Sequence, residues 1–119
     1  MTPAPHPHRL PNRRRAETRD LVANGMALTA TVGFDKMGRP AEIFLSGAKD
    51  GSGMAAILED ASVVISIALQ YGIPARALAK SVARLPAMPL APPYLNRPPG
   101  VRLAASAIGA ALDLIASYP

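Results

Sequence analysis

From Met26 onward the apolar residues fall on every second position: Met26, Leu28, Ala30, Val32 and Phe34 alternate with Ala27, Thr29, Thr31 and Gly33. A period of two places one set on each face of an extended chain, which predicts a half-buried β-strand. Asn24-Gly25, just before it, is a strong hairpin signal because both residues tolerate positive φ. The pattern over Glu17–Ala23, on the far side of that turn, is poor. Asp35 to Arg39, with Gly38 ahead of Pro40, predicts a second turn, and Ala41–Leu45 a third strand with Ile43 and Leu45 on one face. The expected sheet is a three-stranded antiparallel meander, one face of which must be covered.

After the third strand the period changes. The stretch from Ser46 to Pro74 reads as a strand end, a glycine-bearing turn and the longest apolar helix in the chain. Asp50 or Ser52 is suited to cap it, and Met54, Ile57, Leu58, Ala61, Val64, Ile65 and Ala68 recur at the three-four spacing of one helical face. Gly72 ends this helix, expected at about 53–71. Ile73-Pro74 opens a second, about 74–84, running through Ala77, Leu78 and Val82. Residues 86–100 hold six prolines and are expected as a stiff linker. A last helix, about 101–117, repeats Val101, Ala104, Ala105, Ile108, Ala111, Leu112 and Ile115. The fold class expected is α+β: the meander packed against about three helices.

Composition sets the scale. The 119 residues, half of them apolar, suffice for one domain, placed at 16–119. Five aromatic residues (Phe34, Phe44, Tyr71, Tyr94, Tyr118) and no tryptophan leave a core of Ile, Leu, Val, Met and Ala. So small a core would gain from self-association through a helix face, so a homo-oligomer is one expectation. Residues 1–15 carry Arg9, Arg13, Arg14 and Arg15 with no acid, whereas residues 16–119 hold nine basic and eight acidic side chains. The net charge of +5 is thus mostly that of an arm expected to be disordered by Pro3, Pro5, Pro7 and Pro11.

An arm of this kind attracts phosphate backbones or acidic surfaces, or is simply solvated. Arg9, Arg13, Arg14 and Arg15 are the candidate nucleic-acid contacts. The absence of cysteine excludes disulfides, Cys-ligated zinc and thiol nucleophiles. His6 and His8 lack a third ligand on a rigid element, so no metal site is expected. No secretory signal is visible and no window is expected to reach the length of a membrane span, which makes a cytoplasmic protein the default.

Candidate chemistry centres on the turn before the long helix. Gly47, Lys49, Gly51, Ser52 and Gly53 combine backbone N–H groups at a helix start, glycines that admit a phosphate, and one cation. The lysine precedes the second glycine and Asp50 opposes an anion, so this is no Walker loop. The alternative use of the same residues is helix capping and tight turning. Glu59 and Asp60 are adjacent and point about 100° apart, so they do not form a facing carboxylate pair. Gln70 and Tyr71 offer polar tips to a neighbouring loop or ligand. No Ser, His and Asp arrangement for acyl transfer can be assembled.

Several blocks in order carry a family resemblance: Leu10–Arg14, Gly38–Leu45, Ala48–Ser52 and Ser66–Pro74. Over about residues 10–85 the chain resembles the TSCPD-type segment near the C-terminus of adenosylcobalamin-dependent (class II) ribonucleotide reductases. In those enzymes the segment accompanies a catalytic barrel with radical-bearing and reducing cysteines. This chain has no cysteine, including the one in the motif that names the family. The resemblance implies a freestanding relative of an accessory domain that is not itself an enzyme and needs no cofactor, since thiyl chemistry requires a thiol. Two roles follow: a binding or regulatory module for a nucleotide, another phosphate-bearing ligand or nucleic acid, or a subunit docking on a separate ribonucleotide reductase polypeptide.

Overall fold

The structure, a computed structural model, describes residues 7, 10–23, 25–49, 51–85 and 103–119. Asn24, Asp50, Arg9, both histidines, the proline-rich stretch 86–100 and Val101 lie outside the described residues. Three strands, β1 (Ala16–Ala23), β2 (Met26–Phe34) and β3 (Pro40–Ser46), precede three helices, α1 (Gly53–Gln70), α2 (Ala75–Ser81) and α3 (Ala107–Ala116). The strands form one antiparallel sheet in the order β1-β2-β3, the expected meander. Ala23 pairs with Met26 across a two-residue connection in which Gly25 has φ 82°.

On β2 the expected alternation is present. Leu28, Ala30, Val32 and Phe34 are all buried, and with Ile43 and Leu45 of β3 they form the core side of the sheet. On the turn between these strands the Asp35 carboxylate accepts hydrogen bonds from the N–H groups of Met37 and Arg39, both at 2.9 Å, and from Arg39 Nε at 3.0 Å. Burial alone would push the Asp35 carboxyl up, but these bonds outweigh it and hold its pKa below the ordinary value.

The helices close the core from the other side, and each departs from its expected bounds or face. On α1, Leu58 and Ile65 are buried as expected, but Met54, Ile57 and Val64 are exposed, and the third buried residue is Ser62. The helix is turned about a quarter turn from the face its apolar residues predict. The reason lies in its partner: α1 runs beside the outer edge of β3, whose backbone requires polar side chains. At its C-terminus α1 ends as expected at Gly72. The Ile73 N–H reaches Ala68 O, the Gly72 N–H reaches Leu69 O, both at 3.0 Å, and Gly72 has φ 88°, a Schellman ending. One expectation is corrected outright: at 18 residues α1 is long and apolar enough to cross a membrane by length and composition.

α2 stops at Ser81, short of the expected 84, because Arg84 enters an isolated antiparallel bridge with Ala104. Its inward residues are Ala75 and Ala79, while Ala77 is exposed. α3 begins at Ala107, where the hydroxyl of Ser106 accepts the Gly109 N–H at 3.2 Å; residues 103–106 are not helical. Gly109 sits so close to Ala104 that an added Cβ would lie 2.9 Å from the alanine methyl carbon. Arg84 then ties the helices together. Its guanidinium grips Asp113 of α3 through two bonds of 2.6 Å and donates to Ala79 O of α2 at 3.0 Å.

Candidate functional site

The turn expected to contact phosphate is built for turning. Ser52 is the N-cap of α1, its hydroxyl accepting the Ala55 N–H at 3.1 Å, and its own N–H bonds Lys49 O at 3.0 Å. Gly47 has φ 133°, and a Cβ there would lie 2.8 Å from Leu28 Cα, so a glycine is needed to bring the turn against β2. Gly51 has φ 77° in open space, and Gly53 and Lys49 are exposed. The five residues are neighbours, but the serine hydroxyl and two of the three glycines already have structural uses.

The arginines divide similarly. Arg14 pairs with Glu42 of β3 at 2.5 Å and donates to Pro11 O at 2.9 Å. Its bond to Glu42 raises the Arg14 pKa further above its ordinary value, against a smaller opposing effect of desolvation. Gly33 makes that pairing feasible: a Cβ on Gly33 would overlap the Glu42 side chain, which lies across β2 to reach the arginine. The Arg15 guanidinium lies 4.0 Å from the centre of the Phe34 ring, which meets Tyr118 edge-on at 5.2 Å. Arg13 is exposed. Two of the expected nucleic-acid contacts thus bind the arm to the sheet.

The polar residues of α1 that the sequence left unassigned are Ser62 and Ser66. The inner side of the helix carries Ser62, Ser66 and Gln70 at intervals of four, and they meet the outer edge of β3 at intervals of two. The Leu45 N–H donates to Ser62 Oγ at 3.0 Å, and Ser62 Oγ donates to Leu58 O at 2.7 Å. Ser66 Oγ accepts the Ile43 N–H at 2.9 Å and donates to Ile43 O at 3.2 Å. Gln70 Nε2 donates to Ala41 O at 3.2 Å, so its polar tip serves a strand, where the sequence suggested a neighbouring loop or ligand. The sequence showed only that Ser62 and Ser66 interrupt an apolar run; their four-residue spacing was the available signal.

The outer side of α1 is apolar and uncovered. Val63 is 58% exposed, Val64 66% and Ile67 51%, with Ile57 and Met54 beside them. Phe44 of β3, 60% exposed, continues this surface across a groove of about 360 Å³ that Val63, Ser66 and Ile67 line on the helix side. Phe44 points away from the core because it shares strand parity with Glu42 and Ser46, a signal readable in the sequence. A second cleft, of about 410 Å³, lies at the C-terminal end of α1 between Asp35, Arg39, Gln70, Arg76 and Tyr118. The Asp35 carboxylate and the Gln70 amide nitrogen are already bonded within the fold. Among the described residues no group of His, Asp and Glu is arranged to hold a metal ion.

With that geometry in view, the likeness to known proteins is informative. Residues 2–114 match the TSCPD domain, and the chain belongs to that family. It is 37% identical over 70 residues to the vitamin B12-dependent ribonucleotide reductase of Rhodopirellula baltica, covering 59% of this chain and 7% of that protein. Against the enzyme of the same name from Agrobacterium fabrum it is 35% identical over 66 residues, or 56% of this chain and 5% of that protein. The chain therefore spans a small fraction of the curated relatives it matches, and it is related to one segment of them. No solved structure matches.

Proposed function

We propose that this chain is a non-catalytic docking module that seats the outer face of α1 on a separate ribonucleotide reductase polypeptide. The observation that supports this reading is the surface of Val63, Val64, Ile67 and Phe44, each more than half exposed, of which Val63, Ile67 and Phe44 line one groove. A contiguous apolar patch rimmed by polar residues marks an interaction site. Each such side chain contributes about 1.5–3 kcal/mol when fully buried, so three or four of them drive association without any charge pairing. Glu59 and Asp60 are exposed on the same helix, and Asp60 lies among the apolar residues of the outer face. The partner surface is therefore apolar with a basic or hydrogen-bond-donating group opposite Asp60. The relatives support a protein partner because in them the related segment belongs to a far longer polypeptide.

Among the described residues, the phosphate or nucleic-acid reading rests on Lys49 and Arg13, the two exposed cations of the expected sites whose side chains are not engaged as those of Arg14 and Arg15 are. Calorimetric titration of the chain against the ribonucleotide reductase polypeptide of its own organism distinguishes the two. Binding is expected to persist at high salt, to weaken at least about tenfold in Val64→Lys, and to be unaffected by Lys49→Ala. No binding to that polypeptide, together with salt-sensitive binding of nucleotide or DNA that Lys49→Ala or Arg13→Ala weakens, would overturn the docking reading.

A further inference from the structure

The hydrogen bonds at the β3 edge fix the direction of the backbone groups along the regular part of the sheet, short of the irregularity between Gly33 and Phe34. The N–H groups of Ile43 and Leu45 point outward to α1, so Glu42, Phe44 and Ser46 bond inward to their partners Gly33, Thr31 and Thr29. Leu28, Ala30 and Val32 of β2 then bond across to Leu21, Arg19 and Glu17 of β1. The Phe34 N–H to Arg15 O bond, 3.0 Å, has the same parity. It follows that Ala16, Thr18, Asp20 and Val22 direct their N–H and C=O groups away from the sheet. All four are exposed, and among the described residues β1 is the last strand on that side.

We infer that this edge pairs antiparallel with the same edge of a second copy, extending the sheet to six strands across a two-fold axis at Thr18. The choice of occupant and register comes from charge. Charged side chains on an edge strand usually deter pairing. Here their order, Glu17-Thr18-Arg19, is self-complementary about the threonine. With the axis at Thr18, Glu17 of each copy faces Arg19 of the other at a non-hydrogen-bonded site, where side chains approach most closely. Glu17 and Arg19 already lie 3.6 Å apart within one chain, so pairing creates a ring of four alternating charges. An axis at Arg19 would juxtapose two guanidiniums, and one at Asp20 two carboxylates, both unfavourable. The pairing is isologous, as a two-fold dimer requires. It uses the side of the sheet opposite α1 and is independent of the docking proposed above.

The full chain has no cysteine, so Thr18→Cys introduces its sole thiol. Facing residues at a hydrogen-bonded antiparallel site have Cα atoms about 5.5 Å apart, within reach of a disulfide. Mild oxidation of Thr18→Cys is expected to give a covalent dimer. Val22→Cys is expected to give none, because in this register its counterpart lies eight residues along, about 26 Å away. In sedimentation of the cysteine-free protein, Glu17→Arg is expected to weaken the dimer at least about tenfold, and Glu17→Arg with Arg19→Glu to restore it. Thr18→Pro, which deletes an outward N–H, is expected to leave a folded monomer. A wild-type chain that is monomeric at about 100 μM, equal cross-linking of Val22→Cys, or a dimer abolished by Val64→Lys and indifferent to Glu17→Arg would each overturn the inference.

Discussion

The two edges of this sheet face the same physical problem and meet it differently. At β3 the outward backbone groups are taken up by Ser62, Ser66 and Gln70, so a helix stands where a fourth strand could have paired. At β1 the corresponding groups of Ala16, Thr18, Asp20 and Val22 lie at an exposed end of the sheet. The contrast teaches that α1 serves the strand with the side that also enters the core, where Leu58 and Ile65 are buried with Ser62. By turning its serines inward to serve the strand, α1 leaves Val63, Val64 and Ile67 outside. Exposed apolar surface is here the geometric counterpart of a satisfied edge.

The largest effect should come from loosening α1 from the core. Leu58 is 1% exposed, and Leu58→Ala is expected to cost about 2–5 kcal/mol in urea unfolding. A loss below about 1 kcal/mol would mean that the helix is held chiefly by its serines. A smaller effect tests the edges against each other. Ser62→Ala leaves the buried Leu45 N–H without its acceptor and is expected to cost about 1–3 kcal/mol, whereas Thr18→Ala, on the open edge, loses only an exposed bond to the Thr31 hydroxyl and should stay below about 1 kcal/mol when measured on dilute monomer. Equal costs would mean that the two edges do not differ in this respect.

The smallest effect concerns the turn that joins β2 to the sealed strand. Asp35 has its pKa lowered in the fold, so the unfolded chain binds its proton more readily. Its contribution is complete above the unfolded carboxyl value of about 4 and is lost as pH falls through the lower folded value. Unfolding midpoints measured down through this range should decline less steeply for Asp35→Asn than for the wild type. Identical acid limbs would show that the carboxylate adds nothing there.

Much of this architecture was legible because it depends on local pattern. Met26–Phe34 declared itself by alternation, Gly72 by its place after an apolar run, and Ser52 by preceding a helix. The family blocks Gly38–Leu45 and Ser66–Pro74 pointed to the region where β3, α1 and the cleft meet. What escaped was set by partners distant in sequence. The face of α1 was misjudged because apolar periodicity identifies Ile57 and Val64 as inward and has no means of registering that Leu45, 17 residues before Ser62, needs an acceptor. α3 was extended to residue 101 because Ala104 and Ala105 fit a helical period, although both lie in the extended lead-in paired with residues 83 and 84. Arg14 and Arg15 read as free charge because Glu42 and Phe34 reach them only through the fold.

The ladder between α1 and β3 also behaves as a vernier, two scales of slightly different pitch laid side by side. Four helical residues advance about 6.0 Å and rotate about 40° beyond a full turn, while two strand residues advance about 6.6 Å. The misfit is small at Ser62 and Ser66, where a short hydroxyl suffices, but by the third mark it amounts to about 1 Å and 80°. There the sequence places glutamine, whose longer side chain still reaches Ala41 O. A helix can replace a strand at a sheet edge for about three rungs, and side-chain length sets where the substitution must end.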